Sequence, residues 1–153
     1  MESYLKSCED FARVMILMGE YMISGHSYEE VYQYGLENSV DQHVRQIWQE
    51  TLAIANGRRR SPLDALDGRE ASVAPWLTKV FMAGAVSGVE TLWIRGGQAF
   101  LAAAETLRRP SSLGPDRRKR LIEDLTKAGA DVGLSDEFSA SAARQFIDRV
   151  APE

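Results

Sequence analysis

The 153-residue chain has a single cysteine, two histidines and five prolines. Each scarcity excludes something. One thiol, Cys8, cannot build an internal disulfide framework, and such cysteine usage fits a reducing compartment. The longest apolar run falls far short of the roughly 18 to 20 residues needed to cross a bilayer, so no transmembrane segment is expected. Residues Met1 to Asp10 carry two Glu, one Asp and only one Lys, the wrong charge for the start of a secretory signal. Lys plus Arg number 18 against 22 Asp plus Glu, a net charge of −4, which argues against a general nucleic-acid binder with a basic surface. The two histidines, His26 and His43, stand apart, with no His-x-x-x-His pair or other metal-ligand spacing around them. No P-loop or dinucleotide glycine pattern is present, and the G-x-S-x-G arrangement of a serine nucleophile is missing. These absences point to a protein that is not an enzyme and needs no metal or cofactor. The 44% hydrophobic content is enough for a real core, and a cytoplasmic globular protein is expected.

What is present is helical periodicity. Leu5, Cys8, Ala12, Met15, Met18 and Met22, flanked by Phe11, recur at three- and four-residue steps, and Gly25 follows at a C-cap position. Ser27 with Glu30 forms a capping-box pattern opening a second helix through Tyr28, Val31, Tyr32 and Leu36. A third segment places Val40, Val44, Ile47, Trp48, Leu52 and Ala55 on one face and stops at Asn56-Gly57. Ser61-Pro62 starts a short fourth helix that Asp67-Gly68 closes. The fifth begins near Ser72 or Pro75, and Ser87-Gly88 turns the chain into a sixth over 89–107. The expected buried stripe of that sixth helix is Leu92, Gly96, Ala99, Phe100, Ala103 and Leu107, whose small residues allow close helix approach.

Two prolines, two serines and a glycine between Arg109 and Pro115 mark a linker. Beyond it, Leu121, Ile122, Leu125 and Ala128 belong to one helix, and Phe138, Ala142, Phe146 and Val150 to another, capped by Ser135. The expected fold is all-α, a six-helix bundle over 1–109 followed over 110–153 by a linker and an appended helical hairpin.

Few residues invite chemistry. Cys8 sits on the apolar stripe and reads as a buried structural thiol. His26 falls in a turn and His43 has Asp41 nearby, both suited to surface or capping roles. Tyr21, Tyr28, Tyr32 and Tyr34 cluster around the first turn, packed between helices or exposed as a partner patch. Nine of the 18 basic residues lie in three clusters, Arg58-Arg59-Arg60, Arg108-Arg109 and Arg117-Arg118-Lys119-Arg120. The last opens a helix, where the macrodipole disfavours cations, and such a local conflict can mark function. Its functional reading is a surface for acidic headgroups or an acidic partner, and its plain reading a solvated face.

Phe11-Ala12-Arg13, the turn glycine Gly25, the segment Ser61-Pro62-Leu63-Asp64-Ala65-Leu66, the proline-led helix from Pro75, and the turn Gly84-Ala85-Val86-Ser87-Gly88 together resemble a known pattern. It is that of the cytoplasmic helical domain of the type II secretion F / type IV pilus PilC platform family, over about residues 11–104. The chain differs in having Ala85 where the family has Glu, a longer interval from Phe11 to Gly25, and an apparent insertion at Arg58–Arg60. The resemblance implies a non-enzymatic scaffold, in a longer membrane protein or a stand-alone relative. Such a scaffold contacts the assembly ATPase and other platform subunits and can form a homodimer. The contact residues it suggests testing are Arg58, Arg59, Arg60, Arg117, Arg118, Lys119 and Arg120. The alternative is a stand-alone helical regulator that binds nucleic acid or an acidic partner through the basic C-terminal hairpin. Its second helix, with Asp136, Glu137 and Asp148 against Arg144 and Arg149, makes a poor recognition surface.

Overall fold

A computed structural model describes residues 2–57, 60–108 and 113–152, and every regular element among them is helical. In chain order these are α1 (Glu2–Ile23), α2 (Tyr28–Asn38), α3 (Gln42–Gly57), a single 3-10 turn (Pro62–Leu66), α4 (Pro75–Ser87), α5 (Thr91–Leu107), α6 (Pro115–Asp131) and α7 (Asp136–Val150). Among the described residues no helix is long and apolar enough to cross a membrane.

Local chemistry sets most of the boundaries. The Ser27 hydroxyl accepts the Glu30 amide while the Glu30 carboxylate accepts the Ser27 amide, so the capping box forms as the sequence predicts. Ser61 caps the 3-10 turn with Pro62 at its first position, and Ser135 caps α7. Gly88 ends α4 in the left-handed region at φ 69°, a conformation in which a Cβ would be strained. The start of α3 departs from expectation. Asp10 accepts the amides of Val40 and Asp41, and Asp41 in turn accepts those of His43 and Val44. These bonds hold Val40 in the turn and leave it 82% exposed, so it does not belong to the apolar face of α3.

Helix α5 lies at the centre, packed on α1, α4 and α6, and is buried more broadly than one stripe. Trp93, Gly96, Gly97, Phe100, Ala103 and Ala104 are buried, while Leu92, Ala99 and Leu107 are only half-buried. A Cβ on Gly97 would stand 2.6 Å from Ile16 and 2.8 Å from the Ala12 carbonyl. The α1–α5 crossing is therefore close enough to require glycine. Around it the rings of Phe11, Trp48, Phe81 and Trp93 follow one another, with centroids 5.2, 5.0 and 4.3 Å apart, the outer two pairs stacked and the middle one tilted, all fully buried.

Helices α6 and α7 run antiparallel and pack on each other and on the rest. Leu121, Leu125, Ala142, Phe146 and Ile147 join the same buried cluster as the helices before them. Phe146 lies 4.6 Å from Phe100 and 6.3 Å from Tyr4, between ring centroids. The Trp76 indole N–H is shared between the Leu125 carbonyl at 3.2 Å and the Ser139 hydroxyl at 2.9 Å.

Candidate protein-contact site

Since α2 doubles back along α1, and α5 starts beside its C-terminal turns, one end of the molecule collects the end of α1, the start of α2, the end of α3, the 60–63 segment, the end of α4 and the start of α5. At this end an open cleft of about 420 Å³ is lined chiefly by Tyr28, Tyr32, Ile54, Leu63 and Ala85, with Arg60 and Glu29 beside them. Burial pushes the Tyr32 hydroxyl up to about 12. Burial, and then the neighbouring Glu90 carboxylate, raise Tyr28, whose hydroxyl donates to Glu90 at 3.2 Å. Both tyrosines are neutral hydrogen-bonding groups at physiological pH. Beneath them the Trp48 ring is fully buried, 6.5 Å from that of Tyr32 between centroids, and its indole N–H finds no acceptor among the described residues.

The same end carries exposed apolar side chains. Val86 is 78% exposed, Ile23 55% and Val89 43%. Val86 and Val89 flank the Ser87-Gly88 turn, and Ile23 is the last residue of α1. Single exposed aliphatics need no explanation, whereas several at one end of a bundle beside an apolar cleft suit protein contact. On the flank, Tyr21 is sandwiched between His26 and Tyr34, with centroids 3.6 and 4.1 Å away. His26 is 3.4 Å from Glu30. The tyrosine cluster divides accordingly: Tyr32 is buried, and Tyr21, Tyr28 and Tyr34 are half-buried.

The structure separates the basic residues singled out from sequence. Arg58 and Arg59 lie outside the described residues, and Arg60 is exposed at the cleft. Arg117, Lys119 and Arg120 are exposed on the first turns of α6, but Arg118 is buried. It donates to Asp148 at 2.7 Å and to the Ala151 carbonyl. Arg118 thus drops out of the open basic surface. For Arg118 alone, a carboxylate from α7 offsets the conflict of a cation near a helix start. Arg108 pairs with Glu9.

Arg118 also lies at the other end of the molecule from Arg60. Its partner Asp148 adjoins Arg149, which sits on the ring of Tyr4 in the first turn of α1. The cleft end meets α1 near Gly19, where a Cβ would touch the Glu90 carbonyl at 3.0 Å. Tyr4 and Gly19 are fifteen helical steps apart on α1, about 22 Å of axis.

Cys8 is fully buried, as its place on the α1 stripe predicts, and burial pushes its thiol up to about 12. His43 is exposed, its backbone amide bonded to Asp41. Among the described residues no group of three or more His, Cys, Asp or Glu is placed to hold a metal ion. The cleft, the exposure of Val86 and Val89, and the burial of Trp93 are not legible in the sequence pattern. Comparison with protein-family models, curated proteins and solved structures finds no match to this chain.

Proposed function

We propose that the chain is a non-enzymatic scaffold or adaptor domain acting by protein contact, in an inner-membrane platform of a type IV pilus or type II secretion system. The motifs from Phe11-Ala12-Arg13 to the Gly84–Gly88 turn support the secretion or pilus assignment, through the resemblance they carry. One observation supports the contact mechanism: a single end of the bundle bears the apolar cleft, Arg60 and the exposed Val86, Val89 and Ile23. A rigid helical body with an apolar end can take a partner subunit there and pass its displacement along α1 and α5.

The test is direct binding to a purified assembly ATPase and to purified platform subunits. The variant Val86→Asp/Val89→Asp, on exposed positions, is expected to keep the wild-type melting curve and to bind roughly tenfold more weakly, about 1.4 kcal/mol. No association of the wild-type chain with any of these proteins sinks the platform reading. A second reading is favoured by the exposure of Arg117, Lys119 and Arg120, which suits an acidic partner or nucleic acid at the hairpin. Reversing those three charges separates the two readings, since it leaves binding unchanged if the contact is at the cleft end. Arg118 is left intact because its reversal would break the pair with Asp148.

A further inference from the structure

The C-terminal hairpin shares its apolar face with the bundle core, and a few directional contacts fix its edge. In the last turn of α7, Arg149 lays its guanidinium 3.5 Å from the centroid of the Tyr4 ring. Its two terminal nitrogens donate to the carbonyls of Glu70 at 3.0 Å and Ala71 at 2.9 Å. One helical turn further along α1 from Tyr4 stands Cys8. Cys8 is fully buried and accepts the Ala74 amide at 3.4 Å. Arg149, Tyr4 and Cys8 thus form a column from the half-exposed surface to the core. Further along the hairpin, Trp76 donates to Leu125 and Ser139, and Phe146 lies on Phe100.

The hairpin also has contacts of its own between α6 and α7, of which only the Arg118 pair stands clear of Trp76. Arg118 joins α6 to Asp148 and Ala151, the Ser139 hydroxyl donates to the Leu125 carbonyl at 3.0 Å, and Gly129 lets α7 approach closely at Ser139. A helix pair so joined can part from its neighbours without losing its own structure, as cooperative subunits of a fold do.

We infer that α6 and α7 form a cover that opens as one unit, with Arg149 as its latch, and that opening uncovers an aromatic face composed of Tyr4, Trp76 and Phe100. Planarity matters to the latch, because the guanidinium stacks on a ring and serves two carbonyls at once, which an ammonium cannot reproduce. This inference is independent of the platform reading.

Cys8 makes the opening measurable, since it is the single thiol of the chain and lies under the latch. The experiment is the rate of Cys8 modification by an aromatic disulfide reagent in the full-length native protein without denaturant. The same chains are followed by amide hydrogen exchange. Arg149→Ala and Arg149→Lys should both accelerate Cys8 modification about tenfold, equivalent to roughly 1.4 kcal/mol of easier opening. Exchange in α6 and α7 should quicken in step, and that in α2 and α3 should stay at the wild-type rate. Val44→Ala, a core truncation in α3, should lower global stability and leave the Cys8 rate nearly unchanged. Equal acceleration of Cys8 by Val44→Ala and Arg149→Ala would mean that the thiol is reached only by global unfolding, and would overturn the inference. So would an unchanged rate in both Arg149 variants.

Discussion

The two ends of α1 present opposite surfaces built from similar residue types. Near Tyr4, arginines are drawn inward: Arg149 lies on an aromatic ring and two carbonyls, and Arg118 is buried against Asp148. Near Gly19, Arg60 stays exposed beside a cleft of tyrosine, isoleucine and leucine, and three aliphatic side chains face solvent. The difference follows from what each end has to cover. At the Tyr4 end α7 and its cap supply the Asp148 carboxylate and the Ala151 carbonyl to Arg118, while the turn before α4 supplies the Glu70 and Ala71 carbonyls to Arg149. The Gly19 end leaves its floor of tyrosine, isoleucine and leucine open. An arginine cluster in sequence therefore says little by itself about exposure; the neighbouring element decides.

The sharpest way to break this asymmetry is to loosen the closed end. Trp76 is fully buried and is the point at which α4 holds both α6 and α7. Trp76→Ala removes a large ring from the core and takes away the donor to the Ser139 hydroxyl oxygen, while Leu125 keeps Ser139 as its donor. A loss of about 3–5 kcal/mol is expected, read from the urea midpoint by circular dichroism. A loss below about 1 kcal/mol would show that the hairpin adds little to the fold and that the closed end is closed in appearance only.

Much of this architecture was legible in sequence, and the failures have physical causes. The Ser27–Glu30 box, the Ser61-Pro62 start, the Pro75 start and the Ser87-Gly88 turn are local devices, readable because their partners lie within a few residues. Trp93 and Gly97 fall outside the single apolar stripe expected of α5 because that helix is enclosed by α1, α4 and α6. Val40 was misplaced because Asp10, 30 residues earlier, holds it in a turn. Arg118 looked like part of a basic patch because its carboxylate partner stands 30 residues further on. The cleft was invisible for the same reason, being assembled from side chains of α2, α3, α4 and the 60–63 segment.

The seam that joins the two ends offers a smaller perturbation. At Gly97 any Cβ meets Ile16 and, more seriously, the Ala12 backbone carbonyl, which cannot rotate away. Gly97→Ala is expected to cost about 1–3 kcal/mol by thermal or urea denaturation, although alanine is the better helix former. Gly57, the last residue of α3, has open space where a Cβ would stand, and Gly57→Ala should change stability by less than about 0.5 kcal/mol. Equal effects at the two positions would show that α1 and α5 can separate slightly at no cost. In that case the seam would not couple the ends.

Alkaline titration compares the ends by their buried acids. In the folded chain burial raises the Cys8 thiol from an ordinary value of 9.0 to about 12 and raises Tyr4 as well. Between those limits the unfolded chain has lost the Cys8 proton while the folded chain keeps it, so rising pH favours unfolding. The stability contributed is fully present below about pH 9 and is lost as pH climbs toward 12. The slope approaches about 1.4 kcal/mol per pH unit for one such group, so roughly 1–2 kcal/mol should disappear over the first unit and a half. Cys8→Ala should remove that share of the alkaline decline and leave the shares of Tyr4 and Tyr32, measured as urea midpoint against pH. Tyr28→Phe, at the open end, should leave it nearly unchanged, because the Tyr28 hydroxyl is largely solvated and its shift is screened. A decline equally steep with and without Cys8 would place the alkaline sensitivity elsewhere in the core and remove the thiol from the account of the closed end.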